Sequence, residues 1–395
     1  MNMHENESNK PHNNKSYFDM QTDPKSILQN SFIEAKEKSL AEVLSILSED
    51  CLSELKIVVE NAESLKAVFG VTLTSIVYKI YNPNQDIRYH QENMPDGYSG
   101  RTFDTKFVTP FLQDKFPHFA MAESAWLTRS LEQPFPYTLD YQGKIRLKIL
   151  KAAFLSLLNR LQTEKDIAPK MLTALLGLII EKSTEADSFF SSEDFSGDLT
   201  ISKIVEATNQ HFRHKYKVSG AARLPVLAIY AVYELLLRDV KRYDGKQLAP
   251  LETHTSPDSR SESLGDIEIL NEDKTCFEAI EIKHLKPITA GMLGIVYRKI
   301  KNRPINRYYI LTTNEPTIEN QTEISAKLLE VKKLHSCQII VNGVLPTLKY
   351  YLRLVNEPEK FIGIYTKHLE TEFNRASAIK SEHLKIWAEI RENLL

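Results

Sequence analysis

The sequence predicts an α/β (mixed α+β) protein, with a central mixed sheet flanked by helices in its second half and a mostly helical region before it. Between residues 201 and 342, apolar residues change several times from helical spacing to the two-residue alternation of strands. Helices that alternate with strands in this way pack against the faces of a sheet. Residues 183–199 are polar but contain three Phe, and we place the boundary there, between regions 17–190 and 200–395.

The composition is that of a globular protein from a reducing compartment. The chain has 395 residues, of which 42% are hydrophobic, and three widely spaced Cys, so we expect two or three domains and no disulfide framework. No apolar stretch reaches about 18 residues, so no membrane-spanning helix is expected. Residues 1–16 are polar, lack the apolar core of a signal peptide and are expected to form a disordered lead-in, which predicts a cytoplasmic protein. Because the net charge is −2, contact with nucleic acid would have to come from local basic patches.

Local signals support the elements predicted in the first half. Asp23 and Pro24 are a plausible N-cap and first-turn pair for a helical pattern that continues to about Val68. Residues 71–81 alternate and are rich in β-branched side chains, which predicts a strand. Two further helices are predicted at 145–162 and 169–182.

The second half alternates long apolar stretches of helical spacing with short runs of β-branched residues. The predicted helices are 201–215, 224–243, 289–301 and 319–334. The predicted strands are 265–269, 276–283, 307–313 and 337–342. The C-terminal residues 344–395 are predicted to be helical, with a break at Pro358.

The strand pair 265–269 and 276–283 carries the candidate site. Side chains alternate along a strand, so Glu281 and Lys283 share the face opposite to the apolar residues beside them. Asp266 lies on the outward face of the preceding strand. If the two strands pair, Asp266, Glu281 and Lys283 converge. Two carboxylates and an ammonium group at one edge of a sheet can hold Mg²⁺ and act on a phosphodiester.

We therefore predict that Asp266 and Glu281 bind Mg²⁺, with the backbone carbonyl of Ile282 completing its shell. Lys283 would orient the attacking water, lower its pKa or stabilise the developing negative charge, and the sequence leaves these three roles open. The number of metal ions, one or two, is also left open.

Other acidic residues near these strands compete with this assignment. Glu268 shares the face of Asp266 and is a possible further ligand, whereas Glu278 lies on the opposite face and is excluded. Glu234 interrupts an apolar helix and either reaches the metal or pairs with Arg238 four residues later. The alternative for the whole motif is a solvated face of an edge strand, where Glu and Lys serve solubility.

The Glu-x-Lys spacing also occurs elsewhere, so the tripeptide alone is weakly specific. Three copies, at Glu34, Glu54 and Glu330, lie in helical patterns, and the copy at Glu272 lies in a polar turn. The Glu281 copy differs because it lies in a strand-like run that follows a strand bearing an Asp.

Basic and amide side chains in both halves are candidates for contact with DNA, since Arg reads guanine, Gln reads adenine, and Lys and Arg bind phosphate. In the first half the candidates are Arg101, Lys106, Arg129 and Gln133. In the second half they are Arg213, Lys215, His254, Arg260, Lys286, Lys299 and Arg303. The alternative is that these residues only solvate the surface.

Asp266, Glu281 and Lys283 together resemble the motif of the PD-(D/E)xK nuclease superfamily, with Gly265 at the position of the motif's Pro. Within that superfamily the chain resembles type II restriction endonucleases, in particular a SacI-like subfamily. The segments that carry the resemblance are 222–231, 254–258, 265–269, 278–284 and 307–313. It covers about residues 201–342 and does not assign the first half.

This resemblance implies a Mg²⁺-dependent endonuclease that cuts double-stranded DNA at a specific sequence, paired with a cognate DNA methyltransferase. It also implies a homodimer whose two-fold symmetry matches a palindromic site, with region 17–190 supplying DNA recognition. One alternative is a modification-dependent endonuclease, in which Trp126, Phe135 and Tyr137 would surround a flipped base. Another is a non-catalytic DNA-binding protein on the same scaffold.

Overall fold

The computed structural model describes residues 23–189, 199–251, 263–376 and 378–394. The chain forms two compact units, Met1–Thr184 and Glu185–Leu395, and the division falls within the stretch 183–199 chosen from the sequence. The predicted lead-in, 1–16, and the candidate residues His254 and Arg260 lie outside the described residues. No helix in the described ranges is both long and apolar enough to cross a membrane.

The described part of the first unit consists of helices and their connections. Its α-helices are α1 (Pro24–Glu37), α2 (Leu40–Leu44), α3 (Glu49–Glu60), α4 (Lys66–Tyr81), α5 (Gly100–Phe103), α6 (Thr109–Lys115), α7 (Lys148–Thr163) and α8 (Ile167–Ser188). A π-helical turn, Asp104–Val108, joins α5 to α6. Asp23 caps α1 as predicted, because its carboxylate accepts a hydrogen bond from the Ser26 amide at 3.3 Å.

The prediction of a strand at residues 71–81 is wrong, since these residues form most of α4. Every residue from Val68 to Val77 is buried, so the helix has no polar face to give its sequence a helical period. Its many β-branched residues then resemble a strand locally. Thr72 fits the helix because its hydroxyl donates to the Val68 carbonyl at 2.7 Å.

The second unit contains a five-stranded mixed sheet, which confirms the mixed α/β class. The strands are β1 (Gln247–Leu248), β2 (Ile267–Leu270), β3 (Cys276–Lys283), β4 (Arg307–Thr312) and β5 (Gln338–Gly343). Their order in the sheet is their order in the chain. The β1–β2 and β2–β3 pairs are antiparallel, and the β3–β4 and β4–β5 pairs are parallel. The short strand β1 adds to the four that the sequence predicts.

Helices cover both faces of this sheet. They are α9 (Ile201–Arg213), α10 (Leu224–Asp239), α11 (Ala290–Ile300), α12 (Gln321–His335), α13 (Val344–Leu352), α14 (Lys360–Asn374) and α15 (Ser381–Glu392). One face, the α10 face, packs against α9, α10 and the three C-terminal helices through Ile267, Ile269, Ile280 and Ile282. The other, the α11 face, packs against α11 and α12 through Ala279, Tyr308, Ile310 and Ile339.

A buried ion pair connects the start of α10 to α14. Arg223, in the turn before α10, lies 3.1 Å from Glu372, and the two side chains are only 4% and 2% exposed. The Arg223 Nε atom also donates to the second carboxylate oxygen at 3.2 Å. Because both charges are removed from water, each depends on the other.

We expect the Glu372→Gln substitution to lower the free energy of unfolding by about 2–4 kcal/mol, because it removes the carboxylate charge that faces the buried Arg223 guanidinium at 3.1 Å. Urea-induced unfolding at neutral pH measures this change. The control is Glu357→Gln in the exposed pair with Lys360, which should change stability by less than about 0.5 kcal/mol. Equal losses in the two variants would contradict this description of the pair.

Candidate active site

The pairing of β2 with β3 brings Asp266 opposite Glu281. Ile267 faces Ile280 in this antiparallel pair, so the residue before β2 lies across from the next residue of β3. Lys283 lies two residues beyond Glu281 and therefore on the same face. The structure thus brings together the three residues of the sequence motif.

Gly265 allows the chain to approach β3 this closely. A Cβ atom added at this residue would lie only 2.6 Å from the Ile280 carbonyl oxygen. Any other residue would force the backbone before Asp266 away from β3. Gly at residue 265 therefore has a local steric reason.

Asp266 is held by the backbone of β3. Its Oδ2 atom accepts a hydrogen bond from the Ile282 amide at 2.7 Å. Burial and the negative charge of Glu281 raise the pKa of Asp266 to about 6, although this hydrogen bond and nearby ammonium groups act in the opposite direction. At neutral pH the ionised Asp266 carboxylate is therefore destabilised by burial and by repulsion from Glu281, and a bound cation would offset both effects.

Glu281 is contacted from three sides. Its Oε1 atom accepts from Lys283 Nζ at 2.5 Å, and its Oε2 atom accepts from Lys299 Nζ of α11 at 3.3 Å. The Tyr308 hydroxyl lies 3.3 Å from Oε2 and 2.6 Å from the Leu264 carbonyl oxygen. Burial acts to raise the pKa of Glu281, but the two ammonium groups outweigh it and the pKa lies below its ordinary value. Glu281 is therefore ionised at neutral pH.

The Ile282 carbonyl points to the β2 side of β3, the side on which Asp266 lies. In extended backbone, the N–H and C=O of one residue point to the same side of the strand. The Ile282 N–H points to Asp266, whereas the carbonyl of the next residue, Lys283, accepts from the Thr313 amide on the β4 side at 3.1 Å. The Ile282 carbonyl oxygen, predicted as a metal ligand, thus points to the same side of β3 as the Asp266 carboxylate.

Two further acids proposed as metal ligands have other partners. The Glu268 carboxylate accepts from the Ser263 hydroxyl at 2.9 Å and from the Leu264 amide, so it fastens the segment before β2. Glu234 lies on α10, which covers the sheet face opposite to Glu281, and its Oε1 atom is 2.9 Å from His368 Nε2. Both roles predicted for Glu234 are wrong, because it neither reaches the site nor pairs with Arg238, which binds the adjacent Asp239 at 2.6 Å instead.

The prediction that Glu278 lies on the face opposite to Glu281 is confirmed. Its side chain points to the α10 face, where it is fully buried. It accepts hydrogen bonds from Tyr243 at 2.7 Å, Arg242 at 3.0 Å and Tyr233 at 3.2 Å. This network holds β3 from the face opposite to the candidate site.

The residues proposed for DNA contact divide by exposure. The exposed ones are Arg101, Lys106, Arg129, Arg213, Lys215, Lys286 and Arg303. Gln133 is half-buried, and its amide donates to the Arg129 carbonyl at 2.7 Å. Lys299 is also half-buried, and its ammonium group contacts Glu281 within the candidate site.

The prediction that Trp126, Phe135 and Tyr137 form an aromatic cage for a flipped base is wrong. Trp126 and Tyr137 are only 2% and 0% exposed, so they belong to the core of the first unit. The Trp126 indole donates to His90 Nδ1 at 3.0 Å, and the His90 ring stacks on Tyr137 with ring centroids 3.9 Å apart. Phe135 is exposed and forms no cage with them.

The sequence did not reveal two contacts of Glu281. Tyr308 is followed by a second tyrosine, Tyr309, and only the register of β4 against β3 determines which of the two faces the site. Lys299 lies in the connection between two parallel strands. The right-handed rule for such connections places α11 over one face of the sheet, but does not select which of its basic residues reaches Glu281.

The donor set suits a hard divalent cation. Asp266, Glu281 and the Ile282 carbonyl offer only oxygen atoms, which Mg²⁺ prefers, and the raised pKa of Asp266 indicates repulsion that a cation would offset. Within the described ranges, no three His, Cys, Asp or Glu side chains are grouped as a metal site, so binding would depend on two carboxylates and a backbone oxygen.

No protein-family model matches the chain, and no curated protein matches it.

The raised pKa of Asp266 predicts a pH-dependent gain in stability for the metal-free Asp266→Asn variant. The folded-state value of about 6 exceeds the unfolded value near 4, so the folded protein binds more protons between these limits and ionisation lowers stability as the pH rises. Asn removes this charge but still accepts from the Ile282 amide. With a chelator present, we expect its melting temperature to exceed wild type by about 3–6 °C at pH 8 and to match it near pH 4.5.

The matched control for this measurement is Asp273→Asn. Asp273 is exposed, and hydrogen bonds from Thr275 lower its pKa, so removing its charge should give no gain in melting temperature at pH 8. A metal-free Asp266→Asn protein that melts below wild type at pH 8 would contradict the repulsion described between Asp266 and Glu281.

Proposed function

We propose that the protein is a Mg²⁺-dependent endonuclease that cleaves double-stranded DNA at a specific short sequence, in the manner of type II restriction endonucleases. The observation that carries this proposal is the meeting of Asp266, Glu281 and Lys283 at one end of the β2–β3 pair. Asp266 Oδ2 is 2.7 Å from the Ile282 amide nitrogen, and Lys283 Nζ is 2.5 Å from Glu281 Oε1. Two carboxylates, a backbone oxygen and a lysine on one face suit phosphodiester hydrolysis.

The surrounding architecture supports a PD-(D/E)xK nuclease core. Helix α10 is followed by three antiparallel strands, then by α11 and a parallel strand, with helices on both sheet faces. The other Glu-x-Lys copies lie on α1, α3 and α12 and in the β2–β3 turn. Only the Glu281 copy stands on a strand beside a second carboxylate. Since a fold alone does not determine function, the proposal rests on the site.

Each group has a distinct role in the proposed reaction. Asp266, Glu281 and the Ile282 carbonyl would hold Mg²⁺, which when bound supplies Lewis acidity and neutralises charge at the phosphate. The Lys283 side chain is 31% exposed, so its ammonium group can donate to the attacking water or to the phosphate oxygen on which charge develops. In hydrolysis the water oxygen bonds to phosphorus, one P–O ester bond breaks, and the leaving oxygen takes up a proton.

The first unit, within region 17–190, would supply sequence recognition. Arg101, Lys106 and Arg129 are exposed there, and Arg can bind the guanine edge through two parallel hydrogen bonds. A homodimer would place two catalytic sites on the two strands of a palindromic sequence. Such an enzyme would act in the cytoplasm, beside a cognate methyltransferase that protects the host DNA.

We expect Lys283→Ala to slow Mg²⁺-dependent cleavage at least about 100-fold, because it removes the ammonium group that would donate to the attacking water or to the developing negative charge. The measurement is the rate at which unmethylated phage or plasmid DNA is converted to discrete fragments by the full-length protein. Methylated DNA serves as a second substrate.

The chain provides a matched control in its copy of the motif at Glu272-Asp-Lys274. Lys274 is exposed in the turn between β2 and β3, so Lys274→Ala should cleave DNA at the wild-type rate. Equal losses in both variants would contradict a specific role for Lys283. Intact DNA after incubation of the wild-type protein with Mg²⁺ and both substrates would refute the endonuclease and leave a DNA-binding role.

A further inference from the structure

Lys299 is a second cation on Glu281, and it comes from a different element. Its Nζ atom, on α11, is 3.3 Å from Glu281 Oε2, whereas Lys283 Nζ, on β3 itself, is 2.5 Å from Oε1. The side chain of Glu281 is only 14% exposed, but those of the two lysines are 32% and 31% exposed. Both oxygens of this carboxylate therefore have an ammonium partner.

Two carboxylates, Asp266 and Glu281, lie close to two ammonium groups, Lys283 and Lys299. In their ordinary ionised forms these four groups carry equal numbers of negative and positive charges. A divalent cation added to this set would leave an excess of two positive charges in a partly buried space, where charges interact more strongly than in water. Metal binding is therefore easier if one ammonium group leaves the carboxylates.

The geometry indicates which of the two ammonium contacts of Glu281 breaks more easily. Lys283 is tied to Glu281 through the short β3 segment that carries both, and its contact is the shorter one. The Tyr308 hydroxyl, the other group near Oε2, belongs to a fully buried side chain that also donates to the Leu264 carbonyl. Lys299 makes the longer contact through a flexible, partly exposed stem. Its departure would free a lone pair on Oε2.

We propose that Lys299 is a second active-site lysine, which holds Glu281 in the metal-free protein and moves to a phosphate oxygen of the substrate when a divalent cation takes its place on Oε2. This inference rests on the proposed function, since it requires both the cation and the phosphodiester. Its consequence is that Lys299 competes with the metal in the absence of DNA. Because a DNA phosphate accepts Lys299, DNA and metal each strengthen the binding of the other.

The test is the affinity of the full-length protein for Mg²⁺ in the absence of DNA, measured by isothermal titration calorimetry. We expect Lys299→Gln to bind Mg²⁺ about 5-fold more tightly than wild type, which is the strength of a partly exposed ion pair. Lys299→Arg keeps the charge and should stay near the wild-type affinity. The control is Lys301→Gln, which removes a charge from an exposed side chain just after α11 and should change the affinity less than about 2-fold.

The second half of the proposal is tested by cleavage at saturating Mg²⁺, where Lys299→Gln should be at least about 10-fold slower than wild type because it lacks the phosphate contact. Tighter Mg²⁺ binding with undiminished cleavage would overturn the movement to phosphate. Unchanged or weaker Mg²⁺ binding, in a preparation whose wild type binds Mg²⁺ and cuts DNA, would overturn the competition and leave the proposed function intact. A wild-type protein that neither binds Mg²⁺ nor cuts DNA would overturn the proposed function itself.

Discussion

The candidate site depends on holding two carboxylates together at one end of the β2–β3 pair against their mutual repulsion. Burial and the charge of Glu281 raise the pKa of Asp266 to about 6, and among the described residues the backbone amide of Ile282 donates to its carboxylate at 2.7 Å. Glu281 is stabilised instead by two ammonium groups and lies below its ordinary pKa. This unequal compensation leaves a demand for positive charge beside Asp266, which a divalent cation shared by the two carboxylates would meet.

The two faces of β3 divide the structural work. On the α10 face, Glu278 is fully buried and receives hydrogen bonds from two Tyr hydroxyls and from Arg242. This network of hydrogen bonds holds β3 on its α10 face, because a buried carboxylate that lost these hydrogen bonds would destabilise the fold. On the α11 face, the same strand presents Glu281 and Lys283. A site on a strand whose opposite face is held in place can keep its charged groups within hydrogen-bonding distance of one another.

Period-two alternation was sufficient to predict the central part of this arrangement. It placed β2 and β3 correctly, separated Glu281 and Lys283 from Glu278, and predicted their convergence with Asp266. The α4 helix was mistaken for a strand because it is buried on all sides and so lacks the polar face on which helical patterns depend. The contacts of Lys299 and Tyr308 with Glu281 depend on how α11 and β4 pack against β3, and no local pattern contains that information.

We expect Asp266 and Glu281 to hold a divalent cation together. Anomalous diffraction from crystals of the wild-type protein, with Mn²⁺ in place of Mg²⁺, would locate this cation. We expect a Mn²⁺ peak about 2.2 Å from one oxygen of each carboxylate and from the Ile282 carbonyl oxygen. Mn²⁺ bound elsewhere on the protein, or bound to only one of these carboxylates, would contradict it.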